Sequence, residues 1–186
     1  MQVEVRGVVE SLRTVPPPRF QPNEICRLLE GTDISPSTLA PYIHFSPGRY
    51  TRNLIFRNEL FELLALCWAP KTQSFIHNHA NQLCWLSIQQ GALKLENFHS
   101  LDGPGPGERI RLQPAGGISC AGVGIVDLQQ GDDAIHRVSN PFDEPAVSLH
   151  VYSRPYDMCL AYDLQKQTAW EMPLRYWSIE GKLVQQ

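Results

Sequence analysis

Short runs with strand character follow one another from about residue 50 to residue 172, and turn residues separate them. Gly91, residues 102–107 and residues 131–133 are the clearest turn signals. Many short strands at such spacing are typical of a β sandwich or barrel. We therefore predict an all-β fold. The predicted strands are 51–56, 62–68, 83–89, 93–98, 110–112, 124–128, 134–138, 147–153, 159–163 and 168–172.

Short helices are predicted ahead of these strands. Residues 22–31 have helical character, with Asn23 as the N-cap and Gly31 as the stop. A second short helix follows Ser35 and runs to Tyr42. At 186 residues the chain fits one domain. We expect a single domain over 1–186, with a helical N-terminal region, 1–45, and a β-barrel core, 46–175.

The composition predicts a folded protein without a basic surface. Hydrophobic residues make up 42% of the chain and charged residues 19%, which is ordinary for a globular domain. A net charge of -3 gives no attraction for nucleic acid or an anionic membrane, so we expect neither partner. The first 12 residues lack the uninterrupted apolar core of a signal peptide. We therefore expect a cytoplasmic protein, and we expect a monomer.

The cysteines favour neither a disulfide framework nor a thiolate zinc site. There are five of them, an odd number, and they lack CxxC spacing. Most are interpreted as small buried hydrophobic residues. Cys84 is considered separately, because it follows a histidine pair.

His77 and His79 form that pair, with one residue between them. On an extended strand the side chains at i and i+2 leave the same face, so two imidazoles converge on one point. His136 lies far enough along the chain to reach this point from another strand. Three neutral imidazoles suit zinc, copper, iron or nickel, and they leave positions open for a substrate. An isolated histidine is more often a surface or hydrogen-bonded core residue, so the pair alone leaves that alternative open.

The predicted strand around residues 146–152 alternates strictly between apolar and polar side chains. Ser148, His150 and Tyr152 share its polar face. A hydroxyl, an imidazole and a phenol in such a row can pass hydrogen bonds along the strand, each group orienting the next. One alternative is a sheet edge whose polar face lies in water. The other is a row that points into a barrel and ends with the phenol beside a metal ion.

Two motifs resemble those of the cupins. His77 and His79, followed by Cys84 and Gly91, resemble the first cupin motif with its usual glutamate ligand replaced by cysteine. His136 and the residues after it resemble the end of the second motif, although the proline and glycine that normally precede this histidine are missing. The resemblance implies a cupin barrel, that is, a double-stranded β-helix or jelly roll, with short N-terminal helices.

More narrowly, five segments resemble type I cysteine dioxygenase. They occur in the same order and with near-identical gaps from about residue 50 to residue 163. The resemblance implies one Fe(II) per chain, held by His77, His79 and His136. It implies a reaction that inserts both atoms of dioxygen into the thiol of L-cysteine and gives cysteine sulfinic acid. The segments are 50–54 (YTRNL), 66–68 (LCW), 74–79 (SFIHNH), 135–138 (IHRV) and 144–153 (EPAVSLHVYS).

The resemblance also implies roles for the other candidate residues. Arg52 receives the substrate carboxylate, since its planar guanidinium pairs with a carboxylate through two hydrogen bonds. Tyr50 lines the same pocket. Tyr152 donates its hydroxyl to the substrate carboxylate or to the bound oxygen, and His150 and Ser148 fix its orientation.

Cys84 and Tyr152 also have counterparts in the family. In its animal members the equivalent cysteine forms a thioether with the equivalent tyrosine, whereas many bacterial relatives carry glycine in place of the cysteine. Both partners are present here, so the thioether is one expectation. A free core thiol at Cys84 is the alternative.

The chain departs from the family pattern after Tyr152. Cysteine-type enzymes usually read Ser-Pro-Pro there, with a cis peptide before the first proline, whereas this chain reads Ser153-Arg154-Pro155. We predict a trans Ser153–Arg154 peptide, because a non-proline cis bond costs about 3 to 4 kcal/mol. An arginine at this point resembles relatives that oxidise 3-mercaptopropionate, although those have glutamine where this chain has Arg52.

Three functions follow from these observations. The favoured one is an iron-dependent dioxygenase of L-cysteine, whose partners are a small thiol and dioxygen. The nearest alternative is a dioxygenase that prefers 3-mercaptopropionate or another small thiol. The third is a cupin that binds metal without redox chemistry, or a zinc-dependent isomerase.

Overall fold

A computed structural model describes residues 2–102, 106–131 and 134–185 of the chain. The turns predicted at 102–107 and 131–133 include residues 103–105 and 132–133, which lie outside the described residues. No helix in the described ranges is long and apolar enough to cross a membrane.

Helices form the beginning of the chain, as predicted. The second predicted helix is confirmed as α3 and the 3-10 turn that follows it. The helical elements are α1 (Val5–Thr14), a 3-10 turn (Pro17–Arg19), α2 (Pro22–Leu29), α3 (Pro36–Leu39) and a 3-10 turn (Ala40–Tyr42).

The sequence prediction missed α1. It placed the first residue of α2 correctly at Pro22 but assigned the wrong N-cap. In α1 the buried residues Val5, Val8, Val9 and Leu12 recur at helical spacing, so the signal was present in the sequence. The predicted N-cap at Asn23 is wrong. The cap is Gln21, because Pro22 takes the first helical position, where its fixed φ and missing N–H are tolerated.

Strands make up most of the remaining described chain. They are β1 (Tyr50–Arg57), β2 (Phe61–Trp68), β3 (Thr72–Gln73), β4 (Ile76–His77), β5 (Cys84–Gln90), β6 (Leu93–Ser100), β7 (Gly107–Glu108), β8 (Leu112–Ala121), β9 (Val126–Gln129), β10 (Ile135–Asn140), β11 (Ala146–Ser153), β12 (Met158–Asp163), β13 (Thr168–Pro173), β14 (Ser178–Ile179) and β15 (Lys182–Leu183).

The predicted strands match the observed ones to within two residues at each end, with one exception. The strand predicted at 110–112 is wrong, because the long strand β8 begins only at Leu112 and runs on to Ala121. Glycine and proline within β8 interrupt the residue pattern by which a strand is predicted. The strand forms nevertheless, because it pairs with β6. The two-residue strands were also missed, since each exists through its pairing with a neighbour and has no periodic pattern of its own.

The strands form two sheets that enclose the centre of the barrel. One sheet has the order β15-β14-β1-β2-β11-β5-β9, and the other has the order β7-β13-β12-β4-β10-β6-β8, with β3 paired to β10. The predicted all-β cupin barrel with short N-terminal helices is therefore confirmed.

Strand β2 is buried at all eight of its positions because both of its faces are covered. On one face Phe61 and Leu63 pack in a cluster with α1 and α2 residues such as Leu12. On the other face Leu64, Leu66 and Trp68 pack in a second cluster, which also contains side chains of β5, β6, β10 and β11. This second cluster fills the space between the two sheets, and the candidate site lies beside it.

Candidate metal centre

The three predicted histidines lie together inside the barrel. His77 ends β4 and His136 lies in β10, and these two residues pair directly across the sheet. Their ring centroids are 4.8 Å apart. His79 follows two residues after His77 and brings its ring centroid to 4.7 Å from that of His136. One nitrogen from each ring lies within 4.8 Å of the others, so strand pairing gathers the three imidazoles around one point.

The hydrogen bonds of these rings leave nitrogens available to a metal. His77 Nδ1 lies 2.9 Å from the Phe75 carbonyl, and His79 Nδ1 lies 3.2 Å from the Ala134 carbonyl. Because a carbonyl only accepts, Nδ1 of each ring carries the proton, and Nε2 keeps its lone pair. His79 Nε2 and His136 Nδ1 are buried and have no hydrogen-bond partner among the described residues. Such groups are costly to leave unpaired, so the set fits a bound cation.

The electrostatic environment keeps all three imidazoles neutral. Burial lowers the pKa of His77 to about 4 and that of His79 to about 3. Burial, together with the neighbouring His79 and His77, holds the pKa of His136 well below its usual value. A neutral imidazole is the form that binds a metal ion, so the site is ready to bind one at neutral pH.

The polar face of β11 points into the barrel. Ser148, His150 and Tyr152 are all buried, so the alternative of a sheet edge in water is wrong. Ser148 Oγ lies 2.9 Å from His150 Nε2, and Tyr152 OH lies 3.2 Å from His150 Nδ1. Trp68, which the sequence did not single out for this row, donates its indole N–H to Ser148 Oγ over 2.9 Å.

The direction of the hydrogen bonds in this row follows from the tautomer of His150. Ser148 Oγ accepts from the Trp68 indole with one lone pair, and its proton is available to His150 Nε2. Burial holds the pKa of His150 well below its usual value, so the ring is neutral and carries one proton. When Ser148 donates to Nε2, this proton lies on Nδ1, which then donates to Tyr152 OH. In that tautomer the phenol proton of Tyr152 is donated away from the row.

Cys84 lies beside Tyr152. The two residues pair across β5 and β11, and Cys84 Sγ is 3.8 Å from His150 Nδ1. Burial, and then the charge of Asp127, raise the pKa of the Cys84 thiol. Burial likewise raises the pKa of the Tyr152 phenol well above its usual value. Cys84 is therefore a neutral thiol next to a neutral phenol.

Arg52 projects from β1 to the same place. Its guanidinium carbon lies 5.5 Å from the centre of the Tyr152 ring, and its side chain is buried. In the described parts of the chain, Nε and Nη2 of Arg52 have no hydrogen-bond partner. Tyr50 stacks on Trp68 with 4.7 Å between the ring centroids. Arg52 and Tyr50 both line a cavity of about 800 Å³, whose lining includes neither Tyr152 nor the three histidines.

Three residues near Arg52 were missed in the sequence. The Glu62 carboxylate lies 3.5 Å from Arg52 Nη2, and the Tyr176 hydroxyl donates to its other oxygen. Tyr156 packs the edge of its ring against Tyr152, at 5.3 Å between centroids. Only Glu62 gave a sequence signal, because it is the single charged residue in the apolar run of β2. Tyr176 comes from a distant part of the chain that no local pattern connects to the site.

Arg154 lies outside this group of residues. It is exposed, with a φ of +66°, and the Ser153–Arg154 peptide is trans, as predicted. Together with Glu59 and Pro155 it lines an outer depression of about 500 Å³. The departure from the family pattern at Arg154 is therefore located at the surface.

A β barrel that gathers three neutral imidazoles at its centre defines a metal-binding cupin. Comparison with known proteins identifies a family within this class. The family described as cysteine dioxygenase type I matches residues 18–165. The chain belongs to this family.

Individual relatives agree with that family. The human protein named cysteine dioxygenase type 1 is 36% identical over 147 residues, which cover 75% of this chain and 68% of the relative. The protein of the same name from Danio rerio is 32% identical over 166 residues, which cover 86% of this chain and 78% of the relative.

Solved structures resemble the chain more remotely. A protein from Thermus thermophilus gives a TM-score of 0.49 at 14% identity, covering 62% of this chain and 93% of that one. A Klebsiella pneumoniae protein with a double-stranded β-helix domain gives a TM-score of 0.48 at 14% identity, covering 62% of this chain and 86% of that one.

Proposed function

We propose that this protein is an iron-dependent thiol dioxygenase that oxidises L-cysteine with dioxygen to cysteine sulfinic acid. One observation carries the proposal. The three neutral imidazoles lie beside a buried phenol and a buried guanidinium, with the His79 and Tyr152 rings 6.1 Å apart and the Arg52 guanidinium 5.5 Å from the Tyr152 ring. This combination provides a cation site, a proton donor and an anion receptor for one small molecule.

His77, His79 and His136 would hold one Fe(II) per chain. When bound, the ion supplies a positive charge that favours a substrate thiolate and provides the redox chemistry with dioxygen. Because all three ligands are neutral, they leave that charge undiminished. The protein fixes the ligand geometry through the pairing of β4 with β10 and through the carbonyls that hold His77 and His79.

Arg52 would bind the substrate carboxylate. Its Nε and Nη2 are donors without hydrogen-bond partners in the described chain, and a carboxylate can accept from both at once. Burial strengthens this interaction, because the guanidinium is removed from competing water. Tyr50 would line the same cavity and exclude water from one side.

Tyr152 would donate its phenol proton to the substrate or to the dioxygen that reacts with it. With the His150 proton on Nδ1, the row of Trp68, Ser148 and His150 would make the phenol oxygen an acceptor from His150, so that the phenol proton would be directed to the substrate side. His150 and Ser148 would act as positioning residues, since each touches the substrate only through the next group.

Cys84 and Tyr152 would form a thioether during turnover. The bond would join Cys84 Sγ to a carbon of the Tyr152 ring, with the loss of one hydrogen from each partner, and dioxygen would accept both. Their pairing across β5 and β11 supports this proposal. Intact-protein mass spectrometry tests it, since linked protein is lighter by the mass of two hydrogens. A chain of unchanged mass after many turnovers would mean that Cys84 remains a free core thiol.

Oxygen uptake by iron-reconstituted protein tests the proposed reaction directly. With L-cysteine we expect uptake of one dioxygen for each cysteine sulfinic acid detected by mass. Faster turnover of 3-mercaptopropionate under the same iron loading would make that thiol the substrate instead. No oxygen uptake with either thiol would mean that the barrel binds its metal without redox chemistry.

We further propose a single-domain protein, with a helical region at 1–45 and a barrel at 46–175, that is cytoplasmic and monomeric. Its partners would be a small thiol and dioxygen, and neither nucleic acid nor a membrane. The net charge of -3 supports the absence of a nucleic-acid partner. Light scattering of the purified protein tests the oligomeric state, and a mass of twice 21.0 kDa would contradict it.

A further inference from the structure

Glu62 is a carboxylate in β2, on the face that it shares with Leu64 and Leu66, and its side chain is completely buried. Its Oε1 lies 3.5 Å from Nη2 of Arg52, yet in the described chain neither atom has a hydrogen-bond partner. A buried carboxylate beside a guanidinium usually accepts hydrogen bonds of about 2.7 to 2.9 Å from it. The gap between Glu62 and Arg52 is therefore held open, and the other contacts of Glu62 show how.

A hydrogen bond from Tyr176 holds the second oxygen of this carboxylate. Arg57 Nη1 lies 2.7 Å from the Tyr176 hydroxyl oxygen, and because a guanidinium only donates, the hydroxyl accepts from Arg57. The phenol proton is then donated to Glu62 Oε2. Arg57 in turn donates to both oxygens of Asp157, over 2.8 and 3.3 Å. Glu62 Oε2 is thus held by a chain of three residues that does not include Arg52.

The backbone next to Tyr176 is fixed to the strand that carries Arg52. The Trp177 N–H donates to the Arg52 carbonyl over 2.7 Å, and the Glu180 N–H donates to the Leu54 carbonyl over 2.8 Å. Between these two bonds β14 pairs with β1 in parallel. Backbone contacts therefore set the position of Tyr176 relative to Arg52, so its hydroxyl can restrain the Glu62 carboxylate.

Groups that favour the charged form lie beside the Glu62 carboxyl. Burial raises its pKa, whereas the charge of Arg52, the hydrogen bond from Tyr176 and the charge of Arg57 lower it. Without its phenol donor the carboxylate would be left with two guanidinium groups, Arg52 at 3.5 Å and Arg57 at 3.9 Å. A buried anion is costly unless it is hydrogen-bonded, so it would close the shorter gap. Closure on Arg52 would occupy donors that the substrate carboxylate needs.

We propose that Tyr176 is a positioning residue that keeps the Glu62 carboxylate from accepting hydrogen bonds from Arg52, so that Arg52 stays free for the substrate carboxylate. The inference rests on the thiol dioxygenase function proposed above, in which Arg52 binds that carboxylate. It applies to any thiol that carries a carboxylate, with or without an amino group. The C-terminal part of the chain thereby contributes to substrate binding through Tyr176.

Tyr176→Phe tests this proposal, because it removes only the hydroxyl. We would measure the dissociation constants of L-cysteine, 3-mercaptopropionate and cysteamine from iron-loaded protein without dioxygen. We expect both thiols that carry a carboxylate to bind about tenfold more weakly, which corresponds to the loss of one hydrogen bond between charged groups. Cysteamine has no carboxylate, so its dissociation constant should change by less than about twofold.

The Glu62→Gln/Tyr176→Phe double variant identifies the route of the effect. An amide is neutral and accepts more weakly than a carboxylate, so it competes less for Arg52. We therefore expect the double variant to bind L-cysteine within about threefold of the unmodified protein. A general loss of structure would not be reversed by a second substitution. Tyr42→Phe is the matched control: Tyr42 is partly buried against the cluster that contains Leu12, and its variant should bind all three thiols within about twofold of the unmodified protein.

The possible results separate this inference from the proposed function. The inference is overturned if Tyr176→Phe binds L-cysteine as the unmodified protein does, if all three thiols weaken equally, or if the double variant does not recover; oxidation of the thiol by the unmodified protein would still stand. If the protein consumes no oxygen with either thiol that carries a carboxylate, the function fails, and the dissociation constants still decide the role of Tyr176. Should Tyr176→Phe not fold, Arg57→Gln decides, because it removes the donor to the Tyr176 oxygen. Weaker binding of L-cysteine but not of cysteamine in that variant supports the inference, and any other result overturns it.

Discussion

The Arg52→Ala variant tests the proposed binding of the substrate carboxylate. Arg52 offers two donors, Nε and Nη2, that have no hydrogen-bond partner in the described part of the protein. A hydrogen bond to a charged group contributes about 1.5 to 3 kcal/mol. Two such bonds at the lower limit give about 3 kcal/mol, which is a factor of about 150 in kcat/KM. We therefore expect kcat/KM for L-cysteine to fall by about two orders of magnitude.

A thiol without a carboxylate separates the loss of the Arg52–carboxylate contact from a general loss of structure or activity. Removing Arg52 also leaves Glu62 with one guanidinium fewer, which should lower the free energy of unfolding by about 1 to 3 kcal/mol. Cysteamine has the thiol and the amine but no carboxylate, so its dissociation constant from iron-loaded protein should change by less than about threefold. Arg137→Ala is the control for the loss of a guanidinium group. Arg137 follows His136 in the chain and pairs with Glu96. The role given to Arg52 would be refuted if binding of L-cysteine and of cysteamine weakened by the same factor. It would also be refuted if kcat/KM for L-cysteine did not change.

Three further predictions concern the rest of the protein. Tyr152→Phe should bind iron as the unmodified protein does but lower kcat for L-cysteine by about 10²-fold or more, since it lacks the phenol proton; an unchanged kcat would rule out that donor role. Cys84→Ser should abolish any species lighter by two hydrogens, and persistence of that species would place the link elsewhere. Leu12→Ala should lower the free energy of unfolding, measured in urea, by about 2 to 5 kcal/mol, because Leu12 is fully buried between α1 and the barrel. A loss below about 0.5 kcal/mol would mean that α1 does not pack against the barrel.

The sequence predicted the parts of the site that follow from local periodicity. His77 and His79 converge because alternate side chains of an extended chain share a face, and Ser148, His150 and Tyr152 form a row for the same reason. The bounds of most strands followed from the same alternation and from the turn residues between them. His136 could be assigned to the metal because the family resemblance supplied a link across the chain.

Other parts could not be predicted, because they depend on contacts between distant segments. The apolar run that contains Glu62 is predicted only as a strand, and the pairing of Glu62 with Arg52 and Tyr176 exists only in the folded barrel. Trp68 was matched to the family as part of a motif, but its hydrogen bond to Ser148 joins two strands 80 residues apart. Strand β8 has glycine and proline in its own sequence and is maintained by its pairing with β6. Helix α1, by contrast, was missed despite a clear local pattern.

X-ray absorption at the iron edge of the reconstituted protein tests the central claim most directly, with His136→Ala measured alongside. We predict about one iron per chain with three imidazole nitrogens at about 2.0 to 2.2 Å, and a loss of that iron in His136→Ala. Iron that binds with fewer than three imidazoles, or that remains fully bound without His136, would contradict the metal centre on which the proposed function depends.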